Sequence, residues 1–287
     1  MDEGFGRLLL FPVFAAVGLL GATLAPASAA DVSPWDSDSH SAARLIAGSA
    51  RHDAGARVLR AGLEIRLHPG WKTYWRYPGD SGVPPILDFS HSENVKSINV
   101  LWPAPTRFSD GAGGHSIGYQ GSVIFPLQVV PQDAARPVTL RAQIDYGACE
   151  KFCVPVKARA ELALSGATST QDAPLAAAEA RVPKPAGIGD RGVLSIRAVS
   201  REAGEKRPRI IVDVAAQPGN PVTLFAEGPT AKWALPLPEP VAGGPPGVQR
   251  FAFELDGLPP GDTPAGATLK LTAVAGQDAV EASFRLD

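Results

Sequence analysis

The chain has 287 residues, among them 30 glycines and 28 prolines. Both residue types interrupt helices, so a content of about one residue in five disfavours a helical bundle and favours a turn-rich, all-β protein. The 27 Lys and Arg residues nearly balance the 29 Asp and Glu residues, and no long run of one sign occurs. No nucleic-acid partner is therefore predicted, and the length suits two domains of ordinary size.

An apolar segment without charges runs from Leu8 to Leu24. Arg7 precedes it, and the small residues Ala27-Ser28-Ala29 follow it. This order is typical of a secretory signal peptide, here residues 1–29, that is removed on export. An uncleaved membrane anchor is the alternative, but Pro12 and the small-x-small exit favour cleavage. No other apolar run is long enough for a bilayer, so we expect an exported mature chain without a membrane span, in which a disulfide can persist.

The next segments predict a leader and a first β domain. Residues 30–55 are rich in Ser, Asp, Ala and Gly without a hydrophobic period, and we interpret them as a flexible leader. After them, short alternating or apolar runs separated by turn residues are typical of antiparallel strands. These runs cover 63–67, 71–77, 95–102, 123–130, 138–146 and 154–164. We therefore predict a β-sandwich over residues 56–166.

The second half of the chain predicts a linker and another β domain. Residues 167–191 shift to Ser, Thr, Ala and Pro, and their only helix candidate is Ala173–Arg181. Short alternating runs without cysteine follow at 193–199, 209–214, 222–227, 248–255, 268–274 and 280–286. They predict a second β-sandwich over residues 192–287. We expect Trp233, before a proline-rich insert, to pack between the domains.

Cys149 and Cys153 are the only cysteines. A straight strand would hold residues four apart at roughly 13 Å, too far for a disulfide, so the chain must turn between them. Since the flanking strands are able to form a hairpin, residues 150–152 can be a loop with the cysteines facing each other at its base. Closing so short a loop stabilises by only about 2 kcal/mol, which hints at chemistry, yet the spacing alone leaves a structural disulfide open.

Other kinds of site have weaker support. Cys-x2-Cys is absent and the five histidines show no paired spacing near the cysteines, so we expect neither a cofactor nor a metal. No hydrolase or nucleotide-binding motif occurs. His115 and Asp110 could form a catalytic pair, although a mobile glycine-rich loop is the better interpretation. The aromatic residues of 71–77 could bind carbohydrate or peptide, although core packing is favoured for at least half of them.

Several separated motifs occur in an order that resembles the amino-terminal periplasmic domain of the DsbD/ScsB thiol:disulfide interchange proteins, closer to the ScsB branch. The similarity covers roughly residues 55–165, and the following half is similar in kind to the second immunoglobulin-like domain of that branch. The motifs are His68-Pro-Gly-Trp71-Lys-Thr-Tyr74-Trp75, Pro78-Gly79-Asp80-Ser81-Gly82-Val-Pro84, Trp102-Pro103-x-Pro-x-Arg107, Gly118-Tyr119 and Tyr146-x-x-Cys149-x3-Cys153-Val-Pro155.

This resemblance implies two immunoglobulin-like β-sandwiches in the periplasm and an exchange site at Cys149 and Cys153. It implies that Cys153 forms the mixed disulfide with another protein and that Cys149 resolves it. Family members shield the cysteine pair with an aromatic-bearing cap loop, and by order along the chain our candidate is the glycine-rich loop around His115 and Tyr119. The other residues expected around the site are Tyr146, Phe152 and Pro155.

The resemblance also implies partners. Family members continue into a membrane thiol transporter and a thioredoxin-like domain, whereas this sequence stops at Asp287. We therefore expect a thiol-disulfide oxidoreductase whose donor is a separate transporter or thioredoxin-like protein and whose acceptors are oxidised periplasmic proteins. The alternative is a non-enzymatic periplasmic binding or assembly module in which the disulfide only ties the hairpin.

Overall fold

The computed structural model describes residues 1–2, 30–53, 55–109, 113–204 and 207–287. Residues 3–29, which include the apolar core of the predicted signal peptide, and Asp110 of the predicted glycine-rich loop lie outside these ranges. The described chain is almost entirely β, as the composition predicts. No helix in this part of the chain is long and apolar enough to span a membrane.

The first sandwich consists of two facing sheets. One has the strand order β1-β2-β4-β10-β7 with β3 paired to β4, and the other has the order β12-β11-β5-β9-β8 with β6 paired to β11. The strands are β1 Asp36–Ser37, β2 Ser41–Ala47, β3 Arg51–Asp53, β4 Ala56–Leu67, β5 Lys72–Gly79, β6 Ile86–Asp88, β7 Val95–Val100, β8 Thr106–Ser109, β9 His115–Gln120, β10 Ser122–Pro131, β11 Val138–Cys149 and β12 Cys153–Leu164.

Alternation along the long strands builds the core between the two sheets. Leu63 and Ile65 of β4 and Phe125 of β10 are fully buried, and Leu63 lies directly opposite Phe125. In the other sheet, Leu140 and Ile144 of β11 point to the same interior. Each strand therefore has an apolar inner face and a more polar outer one, as expected of a sandwich.

The prediction of a flexible leader over residues 30–55 is wrong. Strand β2 pairs with β4 over seven residues, and its Leu45 and Ile46 are completely buried. The inward position Ala43 is also fully buried, but a methyl group contributes little to a hydrophobic period, so the alternation of Ser41–Ala47 is weak in the sequence. The strand is specified by its pairing with β4, and the first sandwich therefore begins well before residue 56.

The segment between the sandwiches contains helix α1, Asp172–Ala180, close to the predicted Ala173–Arg181. The helix packs onto the first sandwich, where Leu175 is fully buried against Gly62 of β4. Arg60 adds ion pairs of 2.9 Å with both Asp172 and Glu179. The segment is thus fixed to the first sandwich over the length of the helix.

The second sandwich has two four-stranded sheets, with orders β13-β20-β19-β16 and β14-β15-β18-β17. Trp233 is buried inside this domain and donates a hydrogen bond to Asp262 (2.8 Å), so its contacts are not those expected of an interdomain residue. The strands are β13 Lys184–Pro185, β14 Ser195–Glu202, β15 Arg209–Ala215, β16 Thr223–Glu227, β17 Glu239–Val241, β18 Val248–Glu254, β19 Thr268–Ala275 and β20 Asp278–Arg285.

The two sandwiches share a packed interface centred on β5. Three successive β5 residues, 75–77, each contact the second domain through a different type of interaction. The contacts are a ring–ring contact between Trp75 and Phe225 (centroids 5.6 Å apart), ion pairs from Arg76 to Glu227 and Glu281, and a hydrogen bond from the Tyr77 hydroxyl to the carbonyl of Leu235 (3.1 Å).

Candidate functional site

The cysteine pair closes the hairpin of β11 and β12, as the sequence predicts. The two strands pair residue by residue from Val138 opposite Leu164 to Cys149 opposite Cys153. The cysteines are joined by a disulfide, with their Cα atoms 4.1 Å apart. Because the hairpin is held by this long ladder, the disulfide adds one more link at the end of an arrangement that backbone hydrogen bonds already define.

The two sulfur atoms occupy different environments. Cys149 is only 1% exposed, because its strand lies between β12 and the start of β5 at Lys72. Cys153 begins β12, which is an edge strand, and it is exposed. An approaching thiol therefore reaches the sulfur of Cys153 first.

The side chain of Tyr74, on β5, contacts both sulfurs. Its hydroxyl lies 2.9 Å from Sγ of Cys149 and 3.2 Å from Sγ of Cys153. Burial raises the pKa of Tyr74 above its ordinary value of 10, so the hydroxyl keeps its proton and remains a donor at neutral pH. The ring lies against Gly147, where a Cβ would come within 3.1 Å of it. Gly147 thus leaves room for the tyrosine beside the disulfide.

The residues from the last of β5 to the first of β6, 79–86, fold back over Tyr74. A Cβ at Gly82 would lie 2.4 Å from Cβ of Pro78 and 2.7 Å from Cδ1 of Tyr74, so the backbone can approach this closely only without a side chain. The Tyr74 hydroxyl also lies 3.5 Å from the carbonyl oxygen of Ser81. We call residues 79–86 the cap segment.

The cap segment and the hairpin enclose an apolar groove of about 260 Å³ that ends at Cys153. Val83 and Ile86 are largely exposed, although both are apolar. Contiguous exposed apolar surface of this kind is typical of an interaction site. The remaining lining residues include Tyr74, Pro84, Tyr146, Gly147, Val154, Pro155 and Val156.

The structure brings three of the predicted surrounding residues to the disulfide. Tyr146 and Pro155 line the groove, and the Tyr146 hydroxyl lies 2.8 Å from Oγ of Ser41. Phe152, at the tip of the hairpin, is 60% exposed and packs edge-on against Trp71, with ring centroids 5.5 Å apart. An exposed aromatic ring therefore stands at the hairpin tip, one residue before Cys153.

Neither His115 nor Tyr119 covers the sulfurs, so their predicted place in the cap needs correction. Tyr119 is buried in the sandwich and donates a hydrogen bond to the carbonyl of Pro103 (2.8 Å). His115 begins β9, where its carbonyl accepts a hydrogen bond from the backbone N–H of Asp80 in the cap segment (2.9 Å) and its own N–H donates to Oδ2 of Asp80 (3.0 Å). His115 thus holds the cap segment through Asp80 and does not cover the sulfurs.

Two features of the site were missed in the sequence. The Pro78–Pro84 motif carries the family resemblance but gives no sign that it covers the site, since turn residues have no period that shows where they fold. Tyr74 was grouped with its aromatic neighbours, although alternation along β5 places it on the opposite face from Trp71 and Trp75. Within the described ranges, no three His, Cys, Asp or Glu side chains come together as a possible metal site.

Comparison with known proteins gives a direct match over the first sandwich. Residues 43–165 match the family model of the thiol:disulfide interchange protein DsbD, N-terminal. The predicted resemblance to the DsbD/ScsB family is confirmed. The DsbD match includes both cysteines, Tyr74 and the cap segment, and it starts within β2, in agreement with the structural boundary.

A solved structure extends the similarity to the whole fold. The crystal structure of the N-terminal periplasmic domain of ScsB from Proteus mirabilis aligns with a TM-score of 0.69 and 21% sequence identity. The alignment covers 90% of this chain and 99% of that chain. The predicted all-β, immunoglobulin-like sandwich fold is thereby confirmed. No curated protein sequence matches the chain.

Proposed function

We propose that this protein is a periplasmic thiol:disulfide exchange protein in which Cys149 and Cys153 alternate between a disulfide and two thiols. The observation that carries the proposal is the asymmetry of the pair. Cys153 is an exposed residue that lines an apolar groove, and Cys149 is buried, with a tyrosine hydroxyl 2.9 Å from its sulfur. This arrangement in a DsbD-like domain provides both a point of attack and a stabilised leaving group.

Electrons enter through attack on the exposed sulfur. A thiolate of a reduced thioredoxin-like partner attacks Sγ of Cys153, the Cys149–Cys153 bond breaks, and Cys149 leaves as a thiolate. The Tyr74 hydroxyl donates a hydrogen bond to this thiolate and lowers the energy of the leaving group. The partner is then bound through a mixed disulfide to Cys153.

The partner's second thiolate completes the transfer. It attacks the partner sulfur in the mixed disulfide, which releases Cys153 as a thiolate and leaves the partner with its own disulfide. Two electrons have moved to this protein, and two protons released from the partner's thiols are taken up by Cys149 and Cys153 through solvent. The reverse sequence reduces an oxidised periplasmic protein, with Cys153 attacking and Cys149 resolving the mixed disulfide.

The small contribution of the disulfide to stability favours a role in thiol exchange over a structural role. Closing a loop of about five residues removes only roughly 2 kcal/mol of chain entropy from the unfolded state, near the low end for disulfides. The β11–β12 ladder continues for another eleven residue pairs beyond the cysteines. A bond that stabilises the fold so little is able to open during turnover without unfolding the domain.

The proposed donor is a separate membrane thiol transporter or thioredoxin-like protein, and the proposed acceptors are oxidised periplasmic proteins. The apolar groove supports a protein partner, because its exposed Val83 and Ile86 lie beside the sulfur that the partner must reach. Apolar surface next to a reacting atom allows docking without a deep pocket.

Trapping of the mixed disulfide tests this function. The probe is a thioredoxin-fold protein that retains only its attacking cysteine, activated as a mixed disulfide with an aromatic thiol, and the trap is C149S, which keeps Cys153 and lacks the cysteine that would resolve the product. The Cys153 thiolate should displace the aromatic thiol and form a stable 1:1 complex with the probe, identified by mass spectrometry of the joined peptides, whereas C153S, which keeps only Cys149, should react much more slowly. An equal or faster reaction of C153S, or no C149S complex at a rate above that of glutathione, would contradict the proposal.

A further inference from the structure

We infer that the second sandwich is a positioning element for the disulfide site, and that Arg76 is the residue through which it acts. This inference rests on the proposed function, since it concerns how fast the disulfide reacts. It begins from the position of residues 75–77, which lie between Tyr74 and the cap segment along the chain. Whatever fixes these three residues therefore also fixes the start of the cap segment that follows them.

Strand β5 leaves its neighbour in the sheet at this point. It pairs with β9 at Tyr74 opposite Gly118 and again at Gly79 opposite Ser116, so four β5 residues, 75–78, stand against one β9 residue. Such a bulge interrupts the ladder hydrogen bonds and bends the strand. The first sheet therefore holds β5 on both sides of the bulge but not within it.

Buried polar groups in the bulge and in the ladder pairs beside it lack partners. Among the described residues, Oγ1 of Thr73, Nε1 of Trp75 and Oγ of Ser116 are buried without a hydrogen-bond partner. Buried polar groups of this kind favour any rearrangement that would satisfy them. The conformation of β5 here is thus not secured by its own sheet and depends on contacts from elsewhere.

The second domain supplies those contacts. The guanidinium of Arg76 bonds Glu227 through two nitrogens, at 2.9 and 2.7 Å, and also contacts the carboxylate of Glu281. All three side chains are at least three-quarters buried. The guanidinium stacks over Trp75, 4.5 Å from the ring centroid, so one residue joins the bulge to two strands of the second domain. A bidentate, shielded ion pair of this type holds a fixed geometry.

Released from this contact, the bulge would allow the cap segment to move off the groove, while Tyr74 keeps its pairing with Gly118 and its place at the sulfurs. The sulfur of Cys153 would then become easier to attack. The chain offers a matched control. Arg107 of β8 also bridges the domains, through a 2.5 Å ion pair with Glu239, but it is not on β5. Both ion pairs join the same two domains. Only Arg76 lies on the strand that carries Tyr74 and leads into the cap segment.

The test compares the rate at which dithiothreitol reduces the disulfide in full-length wild type, R76Q and R107Q, each checked for native circular dichroism. We expect R76Q to react about tenfold faster than wild type and R107Q to stay within about twofold. Because R76Q leaves Glu227 without its cation and Glu281 with only Lys270, at 3.5 Å, R76Q/E227Q/E281Q provides a version without the two acidic groups if R76Q does not fold. A wild-type rate in the folded Arg76 variants, or equal acceleration in R107Q, would overturn the inference.

Hydrogen exchange of the wild-type protein tests the same inference without a variant. The amide N–H of Asp80 in the cap segment donates a hydrogen bond to the carbonyl of His115. If the domains are coupled, the protection of this amide against exchange should decrease with urea concentration in the same way as the protection of the Glu227 amide in the second domain. Protection of Asp80 that persists after Glu227 exchanges, or that is lost well before it, would contradict the coupling. A wild-type disulfide that dithiothreitol cannot reduce would instead contradict the proposed function, so the two failures are distinguishable.

Discussion

The hydroxyl of Tyr74 lies 2.9 Å from Sγ of Cys149, the buried sulfur of the disulfide. These residues are separated by 75 positions in the sequence. They meet because β11 pairs with β5 at Cys149 opposite Lys72, two residues before Tyr74. Beyond that single pair the strands diverge, and the tyrosine ring fills the space between them, against Gly147. The site is therefore a local opening in the sheet, with a hydrogen-bond donor at its base.

Replacing Tyr74 with phenylalanine removes that donor and keeps the ring. A hydrogen bond to a charged group contributes about 1.5–3 kcal/mol, so reduction of Y74F by dithiothreitol should be at least about tenfold slower than in wild type. The control is Y146F, which removes a buried hydroxyl that bonds Ser41 and not a sulfur. Equal rates for Y74F and wild type, or equal slowing in Y146F, would show that the hydroxyl does not stabilise the leaving thiolate.

Gly82 allows the cap segment to rest on Tyr74. An added methyl group would lie 2.4 Å from Pro78 and must displace the segment, so G82A should destabilise the protein by about 1–3 kcal/mol and speed dithiothreitol reduction several-fold. G192A, before the second domain, adds the same group where the nearest atom is 3.3 Å away, and it should leave the rate unchanged. A slower or unchanged rate in G82A would argue against a shielding role for the cap segment.

The double variant C149S/C153S separates an exchange site from a structural hairpin disulfide. Loss of a five-residue loop closure should lower the free energy of unfolding by only about 2 kcal/mol, measured by urea unfolding of the first sandwich. Exchange should be abolished while the folded structure remains. A loss above about 5 kcal/mol, or failure to fold, would favour the structural role and with it the binding-module alternative.

Phe152 should distinguish protein partners from small thiols. Phe152, the residue before Cys153, is 60% exposed at the hairpin tip, so F152A should change stability little. If the ring anchors a docked protein, exchange with a thioredoxin-fold partner should slow about tenfold, because exposed aromatic residues often dominate interface energy. Reduction by dithiothreitol should stay within about twofold of wild type. Parallel changes in both reactions would mean that Phe152 acts on the disulfide and not on docking.

The regular strands were predictable because each has one apolar and one polar face. The alternation of Val138–Tyr146 and of Val154–Leu164 fixes both strands of the hairpin, and the cysteines follow at its base. Strand β2 was not predictable in this way. Its inward alanine carries little hydrophobic signal, and its place is set by pairing with β4, which no local pattern shows.

The site was predictable in its reacting atoms but not in its surroundings. Two cysteines at a hairpin turn specify a disulfide, whereas the contact between Tyr74 and the sulfurs depends on how two distant strands diverge. The cap segment consists of Gly, Pro, Asp and Ser, and the path of such residues is determined by close packing at Gly82 and not by periodicity. Sequence order alone therefore pointed to the wrong loop.

The most direct test of the central claim is the redox equilibrium of the Cys149–Cys153 disulfide in the full-length protein. The oxidised and reduced forms are quantified by thiol alkylation and mass spectrometry across a series of glutathione and dithiothreitol buffers. An exchange site should give a reversible midpoint above about −300 mV, in the range of exchange proteins. A midpoint well below that value, or a disulfide that resists these reductants in the folded state, would contradict the account and leave a structural bond.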